Sequence, residues 1–136
     1  MQDDAPVVHR LIRIAKQLGF FVGERLAPLG LHTGQERLLA ALWAEDGLSQ
    51  TQLVERLAVQ PPTVTAALQR LEREGFIRRE PDAANRRISR VYLTERGRAV
   101  EPEIRALFRE AERRFLSELS AADRKQLGSL LDRIGP

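Results

Sequence analysis

The sequence predicts a mainly α-helical protein interrupted once by a small β-hairpin, and three features of the chain lead to that class. Apolar residues recur every three to four positions over long stretches, the spacing that lines one face of a helix. Residues suited to capping helix N-termini stand in front of several of those stretches. One stretch, 76–93, breaks the pattern with two short extended runs on either side of a turn rich in proline, aspartate and asparagine.

From Pro6 to about Ala27, Val7, Leu11, Ile14, Leu18 and Val22 share one face of a first helix, with Val8, Ile12 and Ala15 alongside. Phe20, Phe21 and Leu26 widen this stripe beyond what one neighbouring helix covers, so a second copy of the chain is expected to cover the excess. Pro28-Leu29-Gly30 ends it. Thr33-Gly34-Gln35-Glu36 has the form of a capping box, and a second helix bearing Leu38, Leu39, Leu42 and Trp43 should run to about Glu45. After Asp46-Gly47, a second box-like run, Ser49-Gln50-Thr51-Gln52, opens a short third helix with Leu53, Val54, Leu57 and Ala58.

Pro61 and Pro62 suit a first helical turn, where the amides they lack would have no intrahelical partner. In the fourth helix that follows, Val64, Leu68 and Leu71 face inward. Thr63, Thr65, Ala66, Gln69, Arg70 and Arg73 lie on other faces, and Gly75 marks the stop. Phe76 to Glu80 and Ile88 to Leu93 read as strands, with Val91 and Leu93 inward and Arg90 and Tyr92 outward; residues 81–87 form a basic hairpin tip. Thr94 is expected to cap a long helix reaching Leu119, which Pro102 must bend or make start later. Ser120-Ala121-Ala122-Asp123 opens a last helix with Leu127, Leu130, Leu131 and Ile134.

The 136 residues, 43% hydrophobic and 30% charged, suit one globular domain that buries about two-thirds of its unfolded surface. No repeat, low-complexity tract or linker divides them. Cysteine is absent, which removes disulfides, thiolate metal sites and thiol redox chemistry. The two histidines, His9 and His32, lack metal-ligand spacing, and there is no glycine-rich phosphate loop. No catalytic residue, metal or cofactor is expected, and the chain does not read as an enzyme. The pairs Asp3-Asp4 and Glu45-Asp46 read as an unstructured start and a helix end. The acidic opening is unlike a secretory signal, and the longest apolar run, Leu38 to Ala44, is too short to span a bilayer. A cytoplasmic location is expected.

The net charge of +3 is unevenly spread: between Phe76 and Arg98 stand seven arginines against three acids. The flanking order sharpens this. A short helix, a tight turn and a second helix form a helix-turn-helix, which presents its second helix to the DNA major groove, and the basic hairpin behind it is the wing of a winged helix-turn-helix. The alternative is a winged-helix module that binds another protein without touching DNA, which predicts an acidic or apolar recognition face and no basic wing.

Several motifs give the reading a family. Leu31-His32-Thr33-Gly34-Gln35, Thr63-Val64-Thr65, Leu71-Glu72-Arg73-Glu74-Gly75-Phe76-Ile77, Arg86-Arg87 and Leu93-Thr94-Glu95-Arg96-Gly97 resemble the core of MarR-type transcriptional regulators. The wing departs at one position, having Asn85 where such proteins commonly place Asp before the two arginines. The resemblance covers almost the whole chain as one MarR-like domain, residues 1–136, with a winged helix-turn-helix over 31–97 flanked by dimerisation helices over 6–30 and 98–136.

The resemblance also implies roles. Gln60, Pro61, Pro62, Thr63, Thr65, Ala66 and Gln69 would lie at or near the major groove, where Gln reads adenine and the Ala and Thr methyls touch thymine. Arg70 and Arg73, with Ser49, Gln50 and Thr51, would grip phosphates. Arg87 would enter the minor groove, supported by Arg86 and Arg90. A homodimer on double-stranded DNA would bind a pseudo-palindromic site with recognition helices about 34 Å apart. As in many such proteins, a small aromatic or anionic effector would release the DNA, here from a crevice drawing on His9, Arg13, Phe20, Trp43 and Phe108, and a repressor is expected.

Overall fold

The computed structural model describes residues 4–136, so Met1, Gln2 and Asp3 of the acidic start lie outside the described residues. The elements are α1 (Val7–Leu26), a single 3-10 turn (Ala27–Leu29), α2 (Gln35–Ala44), α3 (Gln50–Leu57), α4 (Pro61–Arg73), β1 (Ile77–Pro81), β2 (Ser89–Leu93), α5 (Glu95–Ala99), α6 (Glu101–Phe115) and α7 (Ala121–Arg133). Among the described residues no helix is long and apolar enough to cross a membrane.

The expected caps form at three of four places. The Ser49 hydroxyl accepts the Gln52 amide while the Gln52 side chain accepts that of Ser49, and Ser120 and Asp123 do the same for α7. Thr94 accepts from the Gly97 amide. The box expected at Thr33 does not form. Gly34, at φ 100°, is the N-cap, so α2 starts one residue later and the Gln35 and Glu36 side chains turn back to accept the His32 and Gly34 amides at 2.9 and 2.7 Å. Both are buried. Pro102 shifts the long helix as anticipated: α5 ends, the chain turns at Val100, and α6 begins with the proline in its first turn. That helix stops at Phe115 and not at Leu119, because the chain turns over 116–119 to reach the Ser120 cap.

The hairpin is antiparallel in the register Ile77↔Leu93, Arg79↔Val91 and Pro81↔Ser89. The α2–α3 loop lies along its outer edge, where the Gly47 amide donates to Val91 O at 3.0 Å and the Val91 amide to Leu48 O at 2.8 Å. The wing is thereby hydrogen-bonded to the start of the helix-turn-helix.

One continuous core fills the interior. Leu38, Leu39 and Leu42 of α2 meet Leu53 of α3, Val64, Leu68 and Leu71 of α4, and Val91 and Leu93 of β2, while Phe21, Val22 and Leu26 of α1 join Ile104, Leu107 and Ala111 of α6. At about 1.5–3 kcal/mol for each fully buried large apolar side chain, this cluster is the main fixed reference for the exposed face of α4. The rest of the α1 stripe is left open: Val8 and Ile12 are 62% and 48% exposed, and Leu130 and Leu131 of α7 and Ile134 just beyond it are also exposed.

Candidate nucleic-acid interface

Helix α4 divides cleanly. Val64, Leu68 and Leu71 are buried, which turns Pro62, Thr63, Ala66, Gln69, Arg70 and Arg73 to the surface, with Gln60 and Pro61 exposed at its start. Thr65 is half-buried and committed: its hydroxyl donates to Pro61 O at 3.0 Å and accepts from Gln50 Nε2 at 2.6 Å. Gln50 and Thr65 therefore brace α3 against α4. Ser49 is 8% exposed and its hydroxyl is used in the cap of α3, while Thr51 is exposed beside it.

The arginines of residues 76–98 fall into two groups. Arg78 pairs with Glu80 at 2.9 Å and lies over the Tyr92 ring. Arg79 pairs with Glu72 of α4 at 3.1 Å, Arg98 with Asp46 at 3.2 Å, and Arg96 donates to Glu74 O while stacking on Phe76. Arg90, half-buried at the wing base, bonds to Asp82 and to Gly47 O. By contrast Arg86 and Arg87 at the tip, like Arg70 and Arg73 on α4, are exposed and form no ion pair among the described residues.

Of these four, Arg87 borders the starts of α3 and α4, and Arg70 and Arg73 lie in the last turn of α4. A groove of about 350 Å³ runs between Gln50 and Thr51 on α3, Pro61 on α4, and Arg87, Ile88 and Ser89 on the wing. The wing tip is ordered by Asp82, an aspartate that the sequence marks as a turn former without giving it a role in the site. Its Oδ2 accepts the Ala84 and Asn85 amides at 3.0 and 2.9 Å, and its carboxyl is held below the usual carboxylate range first by the Arg90 hydrogen bond and then by the Asn85 amide. Asn85 still serves the turn, since its Oδ1 accepts from the Arg87 amide at 3.2 Å.

The residues expected around an effector do not all meet within one protomer. Trp43 and Phe108 line a groove of about 350 Å³ between α2 and α6, together with Glu36, Arg37, Arg105 and Arg109. Trp43 Nε1 donates to Gly97 O at 2.8 Å, and the Arg105 guanidinium lies 5.8 Å from its ring. Phe20 lies elsewhere, in a shallow hollow with Phe21, Arg114 and Phe115, and His9 and Arg13 are exposed on the first half of α1. The resemblance that grouped them implies a crevice, and helical spacing fixes only direction around an axis and says nothing of which neighbour each position faces. A further hollow of about 600 Å³, which the sequence did not signal, lies where Ala66, Ala67 and Arg70 of α4 face Arg37 and Leu38 of α2.

Comparison with known proteins places this geometry. The MarR family profile matches residues 31–89. The HTH-type transcriptional repressor Rv2887 of Mycobacterium tuberculosis is 31% identical over 135 residues, covering 99% of this chain and 97% of that protein. The crystal structure of the transcriptional regulator SlyA superposes with a TM-score of 0.86 at 31% identity, over 95% of this chain and 91% of that one. A mutant MarR from E. coli complexed with operator DNA has a TM-score of 0.84 at 24% identity, covering 95% and 94%, and shares the fold.

Proposed function

The chain belongs to the MarR family, and from that premise we propose that it is a transcriptional repressor that binds a pseudo-palindromic operator as a homodimer. The observation that supports this best is the pairing pattern of its arginines. The arginines on the body of the wing are neutralised by acids, carbonyls or rings, whereas Arg70 and Arg73 on α4 and Arg86 and Arg87 at the wing tip are exposed and form no ion pair among the described residues. Counterion release from phosphates rewards such free cations, and a protein-binding module would have no use for them.

On this reading Gln60, Pro61, Pro62, Thr63, Ala66 and Gln69 approach base edges in the major groove. Arg70, Arg73 and Thr51 contact phosphates. Arg87, helped by Arg86, enters the minor groove, while Ser49, Gln50 and Thr65 hold the two helices in place. The open apolar faces of α1 and α7 bury each other across a two-fold axis, which sets the recognition helices about one turn of DNA apart. The domain then divides by role, residues 6–30 and 98–136 serving dimerisation and 31–97 serving DNA. The protein would act in the cytoplasm, without catalysing a reaction.

The groove between Trp43 and Phe108 supports an effector of aromatic, anionic chemistry: an indole wall for the ring and, for the charge, Arg37, Arg105 and Arg109 against the two acids Glu36 and Glu112. A ligand that weakens operator binding a hundredfold must prefer the DNA-incompetent state by about 2.7 kcal/mol.

Selection of bound sequences from random duplex DNA tests the proposal. The expected product is an inverted repeat with half-sites about 10 base pairs apart, bound more weakly as salt rises. A monomeric protein that binds no duplex at low ionic strength would refute it.

A further inference from the structure

Arg90 links the turn of the wing to the loop between α2 and α3. Its Nε donates to Asp82 Oδ1 at 2.5 Å, and its NH1 donates to Gly47 O at 2.9 Å. The same Asp82 carboxylate uses Oδ2 to order the turn through the Ala84 and Asn85 amides, four residues before Arg86 and Arg87 are presented. On the other side, Gly47 belongs to the loop that leads through Leu48 and Ser49 into α3, and Ser49 pairs with Arg90 in an isolated antiparallel bridge. One guanidinium thus ties the wing turn and the wing base to the loop that leads into the first helix of the helix-turn-helix.

Resting on the DNA-binding reading above, we propose that Arg90 is a positioning residue: acting through Asp82 and Gly47, it sets the wing at a fixed angle to α4 so that Arg87 reaches DNA, and it makes no DNA contact itself. Three physical points support this. The Arg90 charge is already compensated by Asp82, so it has little counterion release to offer a phosphate. Its two bonds leave in different directions, which a planar fork of donors satisfies and a point charge does not. Beyond the backbone bonds that hold Val91 to the α2–α3 loop, the outer part of the hairpin is a two-stranded ribbon, a structure that alone is only marginally fixed in water.

The inference has a counterintuitive consequence at Asp82. Simple electrostatics says that removing an acid beside a DNA interface strengthens binding. Positioning says that Asp82→Asn weakens it, because the Arg90 bond and the turn both loosen.

The test is operator affinity, measured by fluorescence anisotropy on the selected duplex, for Asp82→Asn, Arg90→Lys and Arg87→Ala, and for Arg87→Ala combined with each of the others. Thermal melting and sedimentation establish that each variant is a folded dimer. Asp82→Asn and Arg90→Lys are each expected to lose affinity about tenfold or more, within the range for one lost specific contact, and to lose nothing further in the Arg87→Ala background. A merely structural weakening would instead add to the Arg87→Ala effect. Tighter binding by Asp82→Asn, full affinity in Arg90→Lys, or additivity with Arg87→Ala would each overturn the proposal. If the unaltered chain binds no duplex at all, the functional reading falls and takes this inference with it.

Discussion

Replacing Gly97 with alanine offers a test in which two physical rules give opposite signs. Gly97 lies in α5, and by helix propensity alone alanine should stabilise it by about 1 kcal/mol. The surroundings forbid the gain. A Cβ at Gly97 would sit 2.2 Å from the carbonyl oxygen of Phe76 and 3.0 Å from Leu93 Cδ2. An ordinary carbon–oxygen contact needs about 3.3 Å or more, so the helix must retreat from the hairpin by about 1 Å. That oxygen already accepts the Thr94 amide at 3.0 Å, and Gly97 O accepts Trp43 Nε1 at 2.8 Å, so the retreat strains bonds on both sides. Overpacking of this kind costs about 1–3 kcal/mol, and a clash with buried backbone belongs at the upper end. The net expectation is a loss of about 2 kcal/mol. Urea unfolding at matched protein concentration reads it as a midpoint lower by about 1 M with an unchanged slope. A midpoint equal to or above that of the unaltered chain would refute the packing argument.

Arg87→Ala should weaken operator binding by about 1–3 kcal/mol and lower the salt dependence by about one counterion, leaving the dimer intact; a titration across salt concentrations checks both. Burial pushes the Glu36 carboxyl above its ordinary value, outweighing the amides of its own residue and Gly34 that favour the ionised form. The folded state therefore holds this proton longer than the unfolded chain, and stability contributed by Glu36 declines as pH rises from about 4.5 to the folded-state value, by at most about 1.4 kcal/mol per pH unit. Unfolding free energies of Glu36→Gln across that range should show less decline than the unaltered chain, and parallel curves would contradict the assignment. Ala58 caps α3 at φ 51°, where a Cβ costs about 1–2 kcal/mol. Ala58→Gly should then raise stability by about 0.5 kcal/mol after the extra unfolded-state entropy is subtracted, measured by thermal melting.

Most of the fold was legible because its signals are local. The stripes of α2, α4 and α6 repeat within the elements themselves, and the Ser49 and Ser120 boxes close over three residues. The Thr33 box failed for an equally local reason that was underweighted: the glycine after it takes a positive φ and becomes the cap itself. The candidate interface was legible as a region. The exposed residues of α4 and the wing tip stand where the pattern put them, but the bonds that occupy Gln50, Thr65 and Arg90 were not. The grouping of Phe20, His9 and Arg13 with Trp43 and Phe108 needed knowledge of which helices face each other, and periodicity contains none.

Charge shows the same division most sharply. Composition and order along the chain determined that a basic hairpin follows a helix-turn-helix, since both depend on neighbours a few residues apart. Which of those arginines remain free was decided only when the chain closed on itself, bringing Asp46 to Arg98, Glu72 to Arg79 and Gly47 O to Arg90. An ion pair depends on separation in space, and distance along the sequence does not fix that separation until the core is packed.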